Sequence, residues 1–306
     1  MTPIRLRVDV CTYRALRDGV PGILDVLKRC GARATFCVAF GPDASGLALL
    51  KMLRPSFAWK MLRSNAALTY GLATALYGTL LPSPLVGAGL PDLVRRIRDE
   101  GHEVAAHGWD HRRWQDRMER FPRERLHAEF RRMADAFLGI LGVPLAAFAS
   151  PAWMVTRDLL DLEETEGLRW AADSRGTEPF LPVFKGRDFK VPQLPVTLPT
   201  LDEALGILTR RQFIEQSLVA IRAQMQYCCY CAHAEAEGRA DQALLEEILQ
   251  RAGRPTAPLG ETPLADLPRR WMGMAAISGR PYLVCTAAAA VSASASEVEA
   301  EAEAED

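Results

Sequence analysis

Short apolar runs alternate with amphipathic segments along most of this chain, and that rhythm restricts the fold more than any other feature. Ile4 to Val10 is a β-rich alternating run, Gly19-Val20-Pro21 leads into an amphipathic segment from Gly22 to Cys30, and a second apolar run spans Ala34 to Phe40. Strand, helix and strand within about forty residues form a βαβ unit. The order returns with a charged helix over Asp92 to Glu100 ahead of the run ending at His107, and with a helix over Pro122 to Leu141 ahead of Ala146 to Ser150. Parallel strands joined by helices need cover on both faces. The expected class is therefore α/β with a mostly parallel sheet, open or closed into a barrel.

Composition narrows the function. Lys and Arg total 37 against 38 Asp and Glu, a formal charge of −1. A dedicated nucleic-acid binder would carry a basic excess, so no nucleic-acid partner is expected. Seven cysteines form an odd count without framework spacing, which fits a reducing compartment. Arg5, Arg7 and Asp9 interrupt the first apolar run, so the N-terminus does not read as an export signal.

Two regions depart from the rhythm. Residues 46 to 66 interleave Leu47, Leu50, Leu53, Phe57, Trp59 and Leu62 with Lys51, Arg54, Lys60 and Arg63, and no charged residue lies between Arg63 and Asp92. Pro82 and Pro84, with four glycines, interrupt that uncharged stretch, so it is poorly suited to a membrane span of about 20 residues. Residues 46–90 read as an amphipathic, basic-edged insertion that lies in a membrane interface or packs on the main core as a helical hairpin. Beyond Cys285 the chain runs through Ala and Ser into alternating Glu and Ala, and 287–306 reads as a disordered acidic tail. The Gly/Pro-rich joint from Ala252 to Pro263 reads as a loop.

Five histidines are few enough for their placement to matter. His107 and His111 frame His-Gly-Trp-Asp-His at a strand end, where two imidazoles can converge on one divalent metal. His102 and His127 read as packed or surface residues. His233 ends an apolar run and is trailed by Glu235 and Glu237, so it is a candidate general acid or base or a satisfied half-buried histidine. Asp9 is an acid inside an apolar pattern, where it must be paired or functional. Asp173 follows the run from Leu168 to Ala172 and is either an ion-pair partner or part of the site. Of Cys228, Cys229 and Cys231, the last two share one strand face and read as core.

Taken in order, Asp9-Val10-Cys11-Thr12, Gly101-His102-Glu103-Val104 followed by His107 and His111, and the strand-end His233 resemble the polysaccharide deacetylase family, the NodB-homology carbohydrate esterases. Further blocks are similar to one branch, the deformylases of undecaprenyl-phosphate-linked 4-deoxy-4-formamido-L-arabinose. They include Trp59-Lys60-Met61-Leu62-Arg63-Ser64-Asn65, Asp173-Ser174-Arg175-Gly176, Pro192-Gln193-Leu194-Pro195 and His233-Ala234-Glu235-Ala236-Glu237-Gly238. The resemblance spans residues 4 to 286. It implies a distorted, incomplete (β/α) barrel of the NodB-homology type over 1–286, and a metal site at the strands' C-terminal ends.

It also implies roles. Asp9 maps onto the family's base, His107 and His111 onto metal ligands, and His233 onto the general acid, with Asp173 as the acid that orients it. Arg175 and Trp153 map onto the substrate side. The substrate implied is the lipid-linked formamido sugar, met at a membrane surface on the cytoplasmic face of a bacterial inner membrane by a peripheral or monotopic protein. The reaction implied is metal-dependent hydrolysis to formate and the 4-amino sugar, for lipid A modification and polymyxin resistance. One position departs from the pattern: Cys11 stands where the family has a ligand Asp. A thiolate with two imidazoles suits zinc better than manganese or cobalt. Ser150-Pro151-Ala152-Trp153-Met154 also lacks the arginine common in relatives. Two alternatives stay open, a sugar N-deacetylase of the same family and a non-catalytic membrane-associated relative.

Overall fold

Strand β1 (Ile4–Val10) is buried along its whole length although it carries three charged residues. Ile4, Leu6, Val8 and Val10 lie in the main apolar core, while the alternate residues Arg5, Arg7 and Asp9 point to the other face of the sheet. Burying each of those aliphatic side chains contributes about 2 kcal/mol. The other face is lined largely by small residues, among them Cys37, Ala105, Ala149, Cys229 and Cys231. Small neighbours leave room for guanidinium groups that a Leu-rich face would exclude. The computed structural model describes residues 2–48, 72–277 and 280–285.

On one side of β1 follow β2 (Thr35–Val38), β3 (Glu103–Ala106), β4 (Ala147–Phe148) and β5 (Trp170–Ala171), and β8 (Cys229–His233) lies on the other, all parallel. The outer helices are α1 (Val20–Cys30), α2 (Leu72–Leu76), α3 (Pro91–Asp99), α4 (His111–Arg117), α5 (Arg123–Leu141), α6 (Arg157–Thr165), α7 (Leu201–Ala204), α8 (Arg210–Ala223) and α9 (Gln242–Ala252). The expected strand and helix order is met. Boundaries move by one to three residues; α1, for example, starts at Val20 because Pro21 fits a first helical turn, where no N–H is needed. The joint before Pro263 is more than a loop, since β9 (Thr256–Ala257) pairs with β1.

The barrel is incomplete between β5 and β8. There the Pro-Gln-Leu-Pro-Val-Thr segment crosses the gap as an irregular strap. Leu194 N–H donates to the Ala171 carbonyl (2.7 Å) on one side, and Thr197 N–H donates to the Cys229 carbonyl (3.2 Å) on the other. Pro192 and Pro195 have no N–H, so a regular ladder cannot form. Side chains complete the bonding: Gln193 Oε1 accepts from Asp173 N–H (3.0 Å) and Thr197 Oγ1 from Cys229 N–H (3.0 Å). A separate sheet joins β6 (Leu181–Phe184), β7 (Arg187–Asp188), β10 (Arg269–Ile277) and β11 (Arg280–Cys285).

The expected insertion at 46–90 falls partly outside the described residues, and the expected tail at 287–306 lies wholly outside them. The two stems of the insertion are described. Asp43 N–H donates to the Pro84 carbonyl (2.8 Å), Gly46 N–H to the Tyr77 carbonyl (2.9 Å), and Val86 N–H to the Gly41 carbonyl (2.8 Å). The segment therefore leaves and rejoins the fold just beyond the C-terminal end of β2. Among the described residues no helix is long and apolar enough to cross a membrane.

Candidate active site

His107 follows β3 directly and His111 is the first residue of α4, so the motif is a strand end, a turn and a helix start. Gly108 makes the turn with φ +83°, a backbone region that strains other residues. Asp110 then caps α4 by accepting from Arg113 N–H (2.9 Å). These two local choices fold His111 back onto His107, with ring centroids 4.9 Å apart. His107 Nδ1 faces the Ala149 carbonyl at 2.7 Å, which leaves Nε2 for the site. Burial lowers the His107 pKa to about 4, and burial with the neighbouring His107 lowers that of His111, so both imidazoles are neutral with lone pairs available at pH 7.

Cys11 arrives from the end of β1, and its sulfur lies within 4.8 Å of the His107 and His111 donor nitrogens. Glu235 fixes it, because its Oε1 accepts from Cys11 N–H (3.1 Å) and from Thr12 Oγ1 (3.0 Å). The approach of the two loops requires Gly19, where a Cβ would sit 2.1 Å from the Ala234 carbonyl oxygen. Burial, then the carboxylates of Glu235 and Asp9, hold the Cys11 thiol well above its ordinary pKa. A thiolate there needs a cation beside it, and two neutral imidazoles plus a thiolate are a fitting zinc donor set. Asp9, Cys231 and His233 also bring donor atoms within 4.8 Å of one another. That second cluster is a poorer cation site, since Asp9 is already bound by a guanidinium.

The guanidinium belongs to Arg7, on the same strand face two residues before Asp9. Arg7 Nε donates to Asp9 Oδ1 (2.6 Å) and Nη2 to Oδ2 (2.8 Å), while Nη1 donates to the Ala172 carbonyl (2.7 Å). Arg7 is 1% exposed and Asp9 3%. Burial works to raise the Asp9 pKa, but Arg7, then His107 and His233, hold the carboxyl well below its usual range. Asp9 Oδ2 lies 3.7 Å from His107 Nε2 and 4.0 Å from His233 Nε2, so the carboxylate sits between the metal donors and the late histidine. Sequence reasoning missed the role of Arg7. The signal was available, since a second charge at i−2 on a buried strand needs the same partner.

Strand register puts His233 opposite Asp9. Its Nδ1 lies 3.3 Å from Asp202 Oδ1, on the short helix α7. Burial opposes charge on His233, but Asp202, followed by Asp9, Glu237 and Glu235, raises its pKa to about 9. The expectation that Asp173 orients His233 is not met. Asp173 Oδ1 accepts from Ser150 N–H (2.7 Å) and Oδ2 from Gln193 Nε2 (3.0 Å), in a fully buried cluster with Glu163. Ala172, its neighbour, carries the carbonyl that holds Arg7, so Asp173 lies behind the Arg7–Asp9 pair. Asp202 was missed because nothing in Leu201–Ala204 marks it apart from other helix-starting acids.

Trp153 and Arg175 meet, with the guanidinium carbon 4.2 Å from the ring centroid. Arg175 is held by the Leu198 carbonyl (2.8 Å) and by Glu203. Ala152 and Trp153 both adopt left-handed backbone angles (φ 53° and 52°), and the Trp153 indole nitrogen is buried without a partner. His102 packs against Phe36 with the rings tilted by 57° and their centroids 5.4 Å apart, as expected. Cys228 and the pair Cys229 and Cys231 fall in the cores on opposite sheet faces, also as expected.

Glu237 is fully buried, accepting from His233 N–H (3.0 Å) through Oε2 and bonded to Tyr230 Oη (3.1 Å) through Oε1. Burial raises its pKa to about 7 despite the attraction of His233. An acid whose folded pKa lies above its unfolded value binds more protons when folded, so its contribution to stability is lost as pH rises from the ordinary carboxylate range through 7. Glu237→Gln is expected to melt like the wild type at pH 5 and several degrees higher at pH 8. A gap that does not widen with pH in thermal unfolding would refute this.

Comparison with known proteins identifies the family. The polysaccharide deacetylase family model matches residues 3–171. A protein of Shewanella sediminis, named as a probable 4-deoxy-4-formamido-L-arabinose-phosphoundecaprenol deformylase, is 35% identical over 257 residues, 82% of each chain. A protein of the same name from Wigglesworthia glossinidia brevipalpis is 29% identical over 76% of this chain and 82% of its own. A crystal structure of a probable polysaccharide deacetylase from Pseudomonas aeruginosa PAO1 superposes with a TM-score of 0.57 at 13% identity, covering 83% of this chain and 87% of that one. This chain belongs to the polysaccharide deacetylase family.

Proposed function

We propose that this protein hydrolyses the formamide of undecaprenyl phosphate 4-deoxy-4-formamido-L-arabinose, at one divalent metal held by Cys11, His107 and His111. The reading is carried by one observation: three candidate metal donors, Asp9 and His233 converge at the C-terminal ends of β1, β3 and β8. The names of the two relatives support the substrate. The sulfur of Cys11 favours zinc over manganese or cobalt. When bound, the metal supplies Lewis acidity and lowers the pKa of water.

The residues of the chain do the rest. Arg7 occupies one acceptor position on each Asp9 oxygen, which leaves Asp9 Oδ2 able to accept a proton from water attacking the formyl carbon. His233, charged at neutral pH, donates its Nε2 proton to the departing sugar nitrogen as the C–N bond breaks. Asp202, 3.3 Å from Nδ1, keeps the ring charged through its carboxylate. Formate and the 4-amino sugar result. The new amine is a cation, the change that lipid A modification and polymyxin resistance require. Trp153, with an unpaired indole N–H beside Arg175, faces the sugar. The stems of the insertion rejoin the fold beyond β2 with Leu80 81% exposed, and we place this edge on the cytoplasmic membrane surface.

Formate release from the lipid-linked sugar tests the reading. The purified protein should release formate, lose activity in a chelator and regain it with zinc. Activity on an N-acetyl sugar alone would favour the deacetylase alternative, and metal-free protein indifferent to added zinc would favour a non-catalytic relative.

A further inference from the structure

A cationic cleft of ≈ 420 Å³ opens at the end of α4 farther from His111, lined by Asp116, Arg117, Arg120, Phe121 and Arg125. Its acid is already neutralised, because Arg112 donates to both Asp116 oxygens at 2.9 Å. Among the described residues, Arg120 pairs with Glu119 at 3.6 Å and Arg125 with Glu129 at 3.8 Å, both long for ion pairs. The Arg120 side chain is 73% exposed. Arg125 lies over the Phe121 ring, 4.2 Å from its centroid, an orientation that fixes its planar fork. The backbone beneath is rigid, since Trp114, Met118 and Leu126 are buried in the main core. Three guanidinium groups on a fixed frame, with the one lining carboxylate already held by Arg112, suit a phosphate oxyanion.

Position sharpens the assignment. Six residues of helix separate His111 from Arg117, about 9 Å along the axis at 1.5 Å per residue. A pyranose with an amide on one carbon and a phosphate ester across the ring has a length of the same order. We propose that Arg117, Arg120 and Arg125 bind the phosphodiester of the polyprenyl-linked sugar, so that α4 measures the substrate from phosphate to formamide. This rests on the proposed function and adds to it a residue set that distinguishes the lipid-linked sugar from a phosphate-free glycoside.

Arg117→Gln, Arg120→Gln and Arg125→Gln, singly and as a triple variant, test it. These side chains lie at the surface, so the variants should fold, and unchanged melting would establish that they do. Each substitution is expected to raise KM for the lipid-linked substrate in detergent about tenfold, the worth of one charge-assisted hydrogen bond. Expected kcat stays within about twofold, and turnover of a phosphate-free 4-formamido glycoside stays the same. Unchanged KM in the triple variant, or equal loss on the glycoside, overturns the proposal. Weakened binding to phosphatidylglycerol vesicles with unchanged KM in detergent also overturns it, in favour of headgroup docking. Binding of farnesyl phosphate, measured by calorimetry, needs no turnover. If it is lost in the triple variant while the wild type releases no formate, the phosphate site stands and the deformylase reading fails; if the wild type does not bind it, the site fails whatever the formate result.

Discussion

Arg7→Met should be the most destructive single substitution in this protein. It leaves Asp9 buried with no guanidinium on either oxygen, a loss that costs about 3–5 kcal/mol for a broken buried pair. For a chain of this size the melting temperature should fall by on the order of 10 °C at pH 7. Formate release should fall by about 100-fold or more, because a carboxyl deprived of Arg7 takes up a proton and ceases to be an acceptor. The sign with pH is fixed. Arg7 depresses the folded pKa of Asp9, so the stability it supplies is present above the ordinary carboxylate range and lost as pH falls below it. The gap between wild type and variant should therefore narrow in acid. The double variant Arg7→Met/Asp9→Asn should recover most of the stability and none of the activity. A single variant within about 1 kcal/mol of wild type would mean that Asp9 is held by something else.

Cys11 carries the second large expectation. Cys11→Ala should purify with little metal, whereas the wild type carries about one zinc per chain by elemental analysis. Loss of a partner that merely orients a ligand costs 10–100-fold in metal affinity, so loss of the ligand itself should cost about 100-fold or more. Cys11→Asp should keep a metal site but shift its preference from zinc towards harder ions, with formate release retained. Metal and activity restored only by Cys11→Asp would mean that the wild type is a decayed enzyme on an intact frame.

The sequence determined the frame and the candidate metal donors His107 and His111. Period-two and helical patterns placed β1, β3, α1 and α5 within a few residues, because these elements are long or bounded by Gly and Pro. His107 and His111 were legible because four residues, a glycine turn and a capping Asp bring them together locally. Asp9 stood out because a charge in an apolar strand needs a reason. The tertiary structure decided what each charge faces. Arg7 and Asp9 are paired by the lining of small residues, Glu235 reaches Cys11 across 224 positions, and Asp202 instead of Asp173 meets His233. Local spacing fixes contacts within a turn of helix or a strand face. Contacts between distant segments depend on how the sheet curls and where the proline strap closes it, and no short window of sequence carries that information.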